Sequence, residues 1–344
     1  MSGNRAKSSG PLIRVPRGWE IPEREATPEG VYWSRREVLR ALGYGTLAAG
    51  GAAAIGACDP RDALGLGDSG PAPKTPIEEV PVPDDVAARY PGKRSTLYTL
   101  DRPITDRRIA ASYNNFYEFT TDKAEVWRRV GAFEPRPWTL EVTGLVGKPG
   151  TFDPDDLVRR FPIEERLYRF RCVEAWSMAV PWNGFPMKAL LKAVEPKPEA
   201  RFVRFVTGVP RAQAPGMRAE SWYPWPYFEG LSIEEAMADL AFFATGIYGR
   251  PLLKQHGAPI RAVVPWKYGY KSIKSISRIE FVADRPETFW HKLAPDEYGF
   301  VSNIDPKKPH PRWSQATERV IGTDERRSTQ YLNGYAEFVG HLYS

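Results

Sequence analysis

The segment Tyr168-Arg169-Phe170-Arg171-Cys172-Val173-Glu174-Ala175-Trp176-Ser177-Met178 holds one of only two cysteines in 344 residues. The other, Cys58, ends an apolar N-terminal run, where a role in processing is expected. Cys172 is therefore alone in the folded region, and a single thiol makes neither an internal disulfide nor a cysteine-rich zinc site. Core packing, nucleophilic catalysis and ligation of a metal with other ligands from elsewhere remain open. Neighbouring Arg169 and Arg171 are expected to favour the thiolate, which is the reactive and metal-binding form.

The composition excludes some classes of protein. The chain is 42% hydrophobic and 26% charged, which is ordinary for a globular protein, and its length allows one large domain or two. Eleven Trp and 33 Pro indicate an aromatic, loop-rich fold and not a helical bundle. The formal charge is +6, and half of it lies in residues 1–57. The remainder is nearly balanced and has no Lys/Arg cluster, so nucleic-acid binding is not indicated.

Residues 1–57 have the features of an export signal. Residues 1–33 are polar and rich in Pro and Gly, so we expect disorder there before processing. Ser34-Arg35-Arg36 then precedes a weakly apolar run from Ala41 to Ala57. A twin arginine ahead of such a run indicates a twin-arginine (Tat) signal and a periplasmic protein. A short transmembrane anchor is the alternative, although the run is at the lower limit for a span.

The end of this run leaves two processing routes open. Ile55-Gly56-Ala57-Cys58 resembles a lipobox, which would place a lipid anchor on Cys58. Cleavage after a small residue such as Ala54 or Ala57 is the alternative. Residues 58–95 are rich in Pro, Gly and Asp and are predicted to be a linker, so the folded domain is expected at 96–344.

The domain is predicted to be α+β. Alternating or β-branched runs predict strands, and N-cap and proline signals with helical spacing predict short helices. Strands and short helices mixed irregularly favour α+β over a regular parallel sheet. The predicted strands are Trp138–Val146, Arg201–Val209, Ile260–Trp266, Ser275–Ala283 and Tyr331–Phe338. The predicted helices are Pro154–Phe161 with Asp153 as N-cap, Pro186–Val194, and one from the capping box Ser232-Ile233-Glu234-Glu235 to about Phe243.

Five blocks of sequence resemble the MsrP family, the periplasmic molybdopterin-dependent protein-methionine-sulfoxide reductases of the sulfite oxidase superfamily. They run from about residue 96 to the C-terminus, and they are longer and more specific than a single short motif. The blocks are Arg171–Met178, Pro181-Trp182-Asn183-Gly184-Phe185-Pro186, Tyr113-Asn114-Asn115-Phe116-Tyr117-Glu118-Phe119, Pro265-Trp266-Lys267-Tyr268-Gly269-Tyr270-Lys271-Ser272-Ile273-Lys274 and His310-Pro311-Arg312-Trp313-Ser314-Gln315-Ala316-Thr317-Glu318-Arg319.

The resemblance implies a sulfite oxidase-like fold and one molybdenum–molybdopterin per chain, with Cys172 as the metal ligand. A soft thiolate suits a redox metal, and the pterin supplies further sulfurs, so one cysteine suffices. The other implied cofactor-binding residues are Asn114, Tyr117, Glu118, Thr207, His256, Arg261, Ser272, Ile273 and Lys274.

Two of the candidate residues are less settled by the resemblance. His256 stands where the family can carry Asn, and its ring can still donate one hydrogen bond to the cofactor. A loop or core histidine is the alternative. Glu174 follows the metal cysteine by two residues and is a candidate catalytic residue for handling protons. A structural salt bridge to Arg169 or Arg171 is the alternative.

The activity implied is reduction of methionine sulfoxide in exported proteins by oxygen-atom transfer to reduced molybdenum. No C-x-x-C-H haem motif or iron–sulfur cysteine set is present, so electrons are expected from a partner. The family implies a haem-b membrane donor of the MsrQ type, oxidised periplasmic proteins as substrates, and a monomeric catalytic subunit. Oxidation of sulfite or another small oxyanion is the enzymatic alternative. A non-catalytic lipoprotein or binding module on this fold is the second.

Overall fold

The computed structural model describes residues 77–344. The predicted signal at 1–57 and half of the predicted linker lie outside these residues. The described helices are α1 Asp84–Ala87, α2 Arg107–Ser112, α3 Val126–Arg129, α4 Pro154–Arg160, α5 Met187–Ala193, α6 Pro215–Ala219, α7 Ile233–Met237, α8 Phe289–Leu293 and α9 Ala336–Val339. The described strands are β1 Lys93–Arg94, β2 Leu140–Gly144, β3 Gly150–Phe152, β4 Glu164–Arg171, β5 Trp176–Pro186, β6 Phe202–Thr207, β7 Phe228–Ser232, β8 Phe242–Ile247, β9 Arg250–Pro251, β10 Arg261–Val263, β11 Ile276–Val282, β12 Thr317–Val320 and β13 Arg326–Ser328.

The strands form two mixed sheets. In the larger sheet the order is β1-β4-β5-β12-β13, and β5 also pairs with β8, which carries β9 and β10. In the smaller sheet the order is β3-β2-β11-β6-β7, with β11 parallel to β2 and antiparallel to β6. Both sheets combine parallel and antiparallel pairs, and short helices lie between the strands. The predicted α+β class is therefore confirmed.

The hairpin β4–β5 is the centre of the larger sheet and carries Cys172 at its turn. The register pairs Arg171 with Ser177 and continues to Glu164 with Gly184. Strand β5 is buried along its length except at Pro186. A Cβ atom at Gly184 would lie 2.0 Å from the carbonyl oxygen of Phe243 on β8, so the two strands meet this closely only with glycine.

Several of the predicted elements are confirmed with small shifts of their ends. Strands β2, β6, β10 and β11 lie within the runs that the sequence predicts. Helix α4 begins after Asp153, whose side chain accepts from the backbone N–H of Asp155, and α5 matches the predicted Pro186–Val194 helix. The capping box at Ser232 is also present, with both hydrogen bonds between Ser232 and Glu235.

Two predicted elements are wrong in extent or type. The helix after Ser232 ends at Met237 and not near Phe243, because Ala238 is extended and the buried segment 242–247 joins the sheet as β8. The predicted strand Tyr331–Phe338 is instead a 3-10 turn, Tyr331–Gly334, followed by α9. Its alternating polarity was misleading, because Leu332 and Asn333 have positive φ angles of 48° and 55° and reverse the chain.

The fold extends to residues before 96. Within the segment predicted as a linker, α1 and β1 are formed, and β1 pairs in parallel with β4. Tyr90 donates its hydroxyl to Thr245 at 2.8 Å, and the Gly92 amide donates to Asn183. These contacts attach residues 84–94 to the edge of the larger sheet despite their proline-rich surroundings. No helix in residues 77–344 has the length and apolar character needed to span a bilayer.

Candidate functional site

Cys172 lies in the turn between β4 and β5 and not within an extended strand. The turn is closed by hydrogen bonds from the Cys172 amide to Trp176 O at 2.9 Å and from the Ala175 amide to Cys172 O at 3.2 Å. Ala175 has a φ of 62°, so the chain reverses there. This reversal brings the side chains of Cys172 and Glu174 together, with Sγ 3.5 Å from Oε2.

Residues of the block His310–Arg319 contact this turn from outside the hairpin. Gln315 donates to the carbonyl oxygen of Val173 at 2.6 Å, and the indole N–H of Trp313 donates to the same oxygen at 2.8 Å. The Arg171 guanidinium donates to the carbonyl oxygen of Cys172 and to Gln315, and it forms an ion pair with Glu318. Buried polar contacts therefore fix the backbone beside the sulfur. A metal-ligating side chain needs this rigidity in order to keep its position.

Two polar side chains, Asn115 and Glu174, contact the sulfur, and Trp176 and Lys123 contact Glu174 in turn. Asn115 donates through Nδ2 to Cys172 Sγ at 3.2 Å and to Glu174 Oε2 at 3.3 Å. The indole N–H of Trp176 also donates to Glu174 Oε2, at 3.4 Å. The other carboxylate oxygen, Oε1, lies 3.2 Å from the ammonium of Lys123. The expected alternative of a salt bridge from Glu174 to Arg169 or Arg171 is wrong, because Arg171 is paired with Glu318 and Arg169 with Asp101.

The environment of the sulfur favours the neutral thiol while no metal is bound. Burial raises the pKa of Cys172 well above its ordinary value, and the Glu174 charge raises it further. Lys123 and Arg171 act in the opposite direction with smaller effects, so the basic neighbours do not produce the expected thiolate by themselves. A coordinated metal ion reverses this preference, because a coordinating thiol is deprotonated.

A cavity that is partly open to solvent has Cys172 on its wall. Nine of the other residues singled out from the sequence line the same cavity, and they come from five separate parts of the chain. They are Asn114, Tyr117, Glu118, Glu174, His256, Arg261, Ser272, Ile273 and Lys274. The aromatic part of the lining includes Trp176, Trp182, Tyr227, Tyr270, Trp290 and Tyr298.

Thr207 does not line the cavity. It lies at the end of β6, and its hydroxyl contacts the carbonyl oxygens of Lys274 at 3.0 Å and Ser275 at 3.2 Å. The side chain therefore supports the segment that carries Lys274. Its predicted hydrogen bond to the cofactor stays a prediction.

Arg261 is a buried cation on the cavity wall. It is 3% exposed and donates to the carbonyl oxygens of His256 and Ser272, and its guanidinium lies over the Trp182 ring at 4.7 Å. Within residues 77–344 no acidic side chain forms an ion pair with it. Burial lowers its pKa to about 9. A buried guanidinium without a carboxylate indicates a site for an anionic ligand.

Glu118 and Lys274 are a second pair of titratable groups on this wall. Burial raises the pKa of the Glu118 carboxyl to about 7. Burial, with a further contribution from the Arg261 charge, lowers the pKa of the Lys274 ammonium to about 7. Lys274 also lies over the Phe116 ring at 5.3 Å. An anion bound beside Lys274 would favour its charged form.

His256 is held as a neutral ring. Its Nε2 lies 3.1 Å from the carbonyl oxygen of Ala110, which only accepts, so Nε2 carries the proton and donates. Burial lowers its pKa to about 3. The buried Nδ1 has no hydrogen-bond partner among the described residues. The neutral ring therefore offers an acceptor to a ligand, whereas the sequence suggested a donor.

The acid sensitivity of the fold should depend on His256. The folded pKa of about 3 lies below the ordinary 6.5, so stability is full above pH 6.5 and is lost as pH falls toward 3. The loss is up to about 1.4 kcal/mol per pH unit. Between pH 6.5 and 5, the free energy of unfolding of His256→Asn should therefore fall by about 1–2 kcal/mol less than that of the parent. Urea unfolding of the cofactor-free protein measures this. Exposed His341→Asn serves as the control, and equal losses in the parent and His256→Asn would contradict the prediction.

Some residues of the site were not singled out from the sequence. Asn115 stands beside Asn114 in a block already quoted, so its amide was within reach of sequence reasoning. Lys123 had no such signal, because a lone lysine in a charged loop is normally a solvated group. Trp182 lines the cavity with a buried indole N–H that has no hydrogen-bond partner in the described part of the chain.

Known proteins resemble this chain over nearly its whole length. Residues 128–290 match the family model of the oxidoreductase molybdopterin binding domain. The chain is 44% identical over 330 residues to the protein-methionine-sulfoxide reductase catalytic subunit MsrP of Burkholderia mallei, which covers 95% of this chain and 94% of that protein. It is 43% identical over 339 residues to the same subunit of Pseudomonas syringae pv. tomato, with 97% of each covered.

Among solved structures, the sulfane dehydrogenase SoxCD from Paracoccus pantotrophus aligns with a TM-score of 0.41 and 19% identity. That alignment covers 69% of this chain and 60% of that chain, and the likeness is too distant to support a conclusion. The two relatives extend over nearly the whole chain at high identity. The chain therefore belongs to the family of MsrP catalytic subunits of protein-methionine-sulfoxide reductase.

Proposed function

We propose that this protein reduces methionine sulfoxide in exported proteins to methionine, using a molybdenum–molybdopterin cofactor. One observation carries the proposal: a single cavity has on its wall a cysteine sulfur outside any disulfide and a buried guanidinium without a carboxylate partner among the described residues. These are the groups that a metal and an anionic anchor require. The relatives that match nearly the whole chain are named for this activity.

The residues present fit the cofactor. No cluster of three or more His, Cys, Asp or Glu suitable for a metal occurs in residues 77–344, so a metal here takes most of its ligands from another source. Buried polar atoms of Asn114, Trp182 and His256 have no partner among the described residues, and all three residues line the cavity. Cys172 would bind the metal, while Arg261, Lys274 and the Ser272–Ile273 backbone would hold a phosphate.

The net reaction converts a sulfoxide, two electrons and two protons into a thioether and water. When bound, the cofactor supplies the two electrons and an acceptor for the sulfoxide oxygen. The chain supplies the surroundings: Asn115 donates a hydrogen bond to the sulfur. Glu174 places a carboxylate oxygen, Oε2, 3.5 Å from the sulfur, where it can accept a proton and pass it on. The buried aromatic wall excludes bulk water from the reacting atoms.

Sulfite oxidation is less favoured by this geometry. The acidic group beside the sulfur is the Glu174 carboxylate, and a carboxylate there repels an anion such as sulfite. A methionine sulfoxide side chain is neutral and does not meet this repulsion. A non-catalytic binding module has no need of the fixed sulfur and its polar neighbours.

An aromatic loop connects the cavity to the surface, as expected for a substrate carried on a protein. Tyr227 and Trp290 line the cavity, Tyr223 lies 6.2 Å from the Trp290 ring, and Trp222 lies 4.4 Å from Tyr223. Trp222 is 56% exposed. Exposed aromatic rings beside a cavity suit apolar residues that flank an oxidised methionine.

Trp222→Ala is expected to weaken the binding of oxidised proteins. Losing an aromatic contact of about 1 kcal/mol should raise KM about fivefold for an oxidised protein and leave kcat unchanged. KM for free methionine sulfoxide should stay as in the parent, because that substrate does not reach the loop. Steady-state kinetics with both substrates measures this. Leu97→Ala, which removes another exposed apolar side chain, is the control. Equal effects of Trp222→Ala on both substrates would contradict the prediction.

The electron donor is proposed to be a haem-b membrane protein. The relatives are named as catalytic subunits, which supports a partner subunit, and no haem motif occurs in the sequence. The twin arginine at 35–36 supports export to the periplasm by the Tat pathway, and the lipobox-like Ile55-Gly56-Ala57-Cys58 supports a lipid anchor on Cys58. Fractionation of cells that carry Arg35→Lys and Arg36→Lys tests export, because the unexported precursor should remain in the cytoplasm.

An anaerobic assay tests the activity. Reduced benzyl viologen donates electrons to the mature protein, and an oxidised methionine-rich protein is added while viologen bleaching is followed. A second arm measures sulfite-dependent reduction of an acceptor dye. Bleaching without sulfite turnover supports the proposal. Sulfite turnover alone supports the oxidase alternative, and silence in both arms with no bound molybdenum supports the binding module.

A further inference from the structure

We propose that Lys123 is a positioning residue whose ammonium fixes the Glu174 carboxylate so that Oε2 faces the Cys172 sulfur. The inference rests on the proposed function for its meaning, because Glu174 is the group beside the reacting atoms. Lys123 itself does not line the cavity. It acts through Glu174 and does not touch substrate or cofactor.

The contacts of Glu174 divide between its two oxygens. Oε1 lies 3.2 Å from Lys123 Nζ. Oε2 accepts from Asn115 and Trp176 and lies 3.5 Å from Cys172 Sγ. Because the ammonium attracts Oε1, rotation of the carboxylate is restricted. Oε2 is therefore directed toward the Cys172 sulfur.

Burial strengthens the attraction within this ion pair, because water does not screen it. The side chains of Lys123 and Glu174 are each 2% exposed, so water does not substitute for either partner. A pair this buried is costly to place, and removing one partner leaves an uncompensated buried charge. Its geometric consequence here is the orientation of Glu174 Oε2.

The loop that delivers Lys123 is itself tied to the cavity wall. The backbone N–H of Asn114 donates to the backbone carbonyl oxygen of Lys123 at 3.0 Å. The next residue, Asn115, donates through its side chain to the sulfur. Asp122 accepts from the Ala124 amide at 2.9 Å and closes the loop around Lys123. The ammonium and the Asn115 amide are therefore positioned by one short segment and converge on the same carboxylate.

The experiment compares Lys123→Met, Lys123→Gln and Lys123→Arg in the metal-loaded protein. Lys123→Met and Lys123→Gln should lower kcat about 100-fold with KM within about twofold, since small misplacements near the chemistry have effects of this size. Lys123→Arg should recover most of kcat, because a guanidinium reaches the same oxygen. The readout apart from activity is the electron paramagnetic resonance spectrum of the metal, whose g values and proton couplings report groups beside it. The Met and Gln variants should show altered couplings, and the Arg variant should resemble the parent.

Lys267→Met is the matched control. Lys267 forms another buried ion pair, with Glu235, and its side chain does not line the cavity. The control should lower thermal stability and leave the metal spectrum unchanged. A parental spectrum and parental kcat in folded Lys123→Met or Lys123→Gln would overturn the proposal, as would an altered spectrum in Lys267→Met equal to that of Lys123→Met. If the parent binds metal and fails to reduce sulfoxides, the proposed function fails, and the spectra still decide the role of Lys123. If Lys123→Met does not fold, the Gln and Arg variants carry the comparison.

Discussion

Replacing Cys172 by serine is expected to abolish turnover and leave the fold in place. The rate of sulfoxide reduction should fall at least about a thousandfold, which corresponds to about 4 kcal/mol in the activation barrier. The loss follows because a serine hydroxyl is a hard, neutral oxygen, whereas the metal requires a soft thiolate. No other cysteine in the described part of the chain can take its place.

The fold should survive because the replacement suits the local contacts. Serine is slightly smaller than cysteine, and its hydroxyl can accept from Asn115 and donate to Glu174, the two polar neighbours of the sulfur. The turn itself is fixed by backbone contacts from Gln315 and Trp313 that do not involve the sulfur. The midpoint of thermal unfolding should therefore change by only a few degrees, roughly 1 kcal/mol or less.

Activity, molybdenum content and thermal unfolding measured on the same preparation test this prediction. Met187→Leu is the matched control, because it removes a fully buried sulfur away from the cavity and should keep parental activity. A Cys172→Ser protein that turns over at the parental rate would show that the cysteine is not a metal ligand. Loss of fold in Cys172→Ser would show that the sulfur has a packing role that the contacts do not reveal.

The sequence predicted the fold class and much of the smaller sheet, yet it missed the central hairpin. Strand β5 contains Pro181, Gly184 and Pro186 and shows no alternation, because it is buried between neighbouring strands on all sides. Proline and glycine within a run usually argue against a strand. The local sequence pattern therefore did not predict β5, because the burial of this strand depends on strands that are distant in the sequence.

The candidate site shows the same division. Residues that the resemblance implies as cofactor-binding, such as Asn114, Arg261 and Lys274, line one cavity. Lys123 and the buried pair of Arg171 with Glu318 depend on contacts between residues far apart in the chain, which composition and spacing do not encode. The shape of the turn at Cys172 was also beyond local reasoning, since Ala175 adopts a positive φ without a glycine.

Replacing Arg261 by methionine is expected to remove most of the bound cofactor. The guanidinium is buried on the cavity wall and has no acidic partner within residues 77–344, so an anionic group of the cofactor is its natural counter-charge. Charge-assisted hydrogen bonds of this kind contribute about 1.5–3 kcal/mol each. Affinity should fall about 10–150-fold for each one lost.

The same guanidinium has a structural role, and the test must separate the two. Arg261 also donates to the carbonyl oxygens of His256 and Ser272, and their loss should lower stability even without cofactor. Molybdenum and pterin per chain should therefore be measured after extended dialysis, beside thermal unfolding of the cofactor-free form. Arg261→Lys should retain more cofactor than Arg261→Met, because an ammonium keeps the charge while losing the planar fork.

Arg278→Met is the control for loss of an arginine. Arg278 lies on β11 with its side chain 49% exposed and paired with Glu141, so its loss should leave cofactor content and stability close to the parent. Full molybdenum and pterin content in folded Arg261→Met would contradict the assignment, and the buried charge would then need another explanation. Depleted cofactor in Arg261→Met with partial retention in Arg261→Lys would instead mean that the cavity selects its ligand by charge at Arg261. Cys172 would then provide the metal bond at a position that the anionic anchor has already fixed.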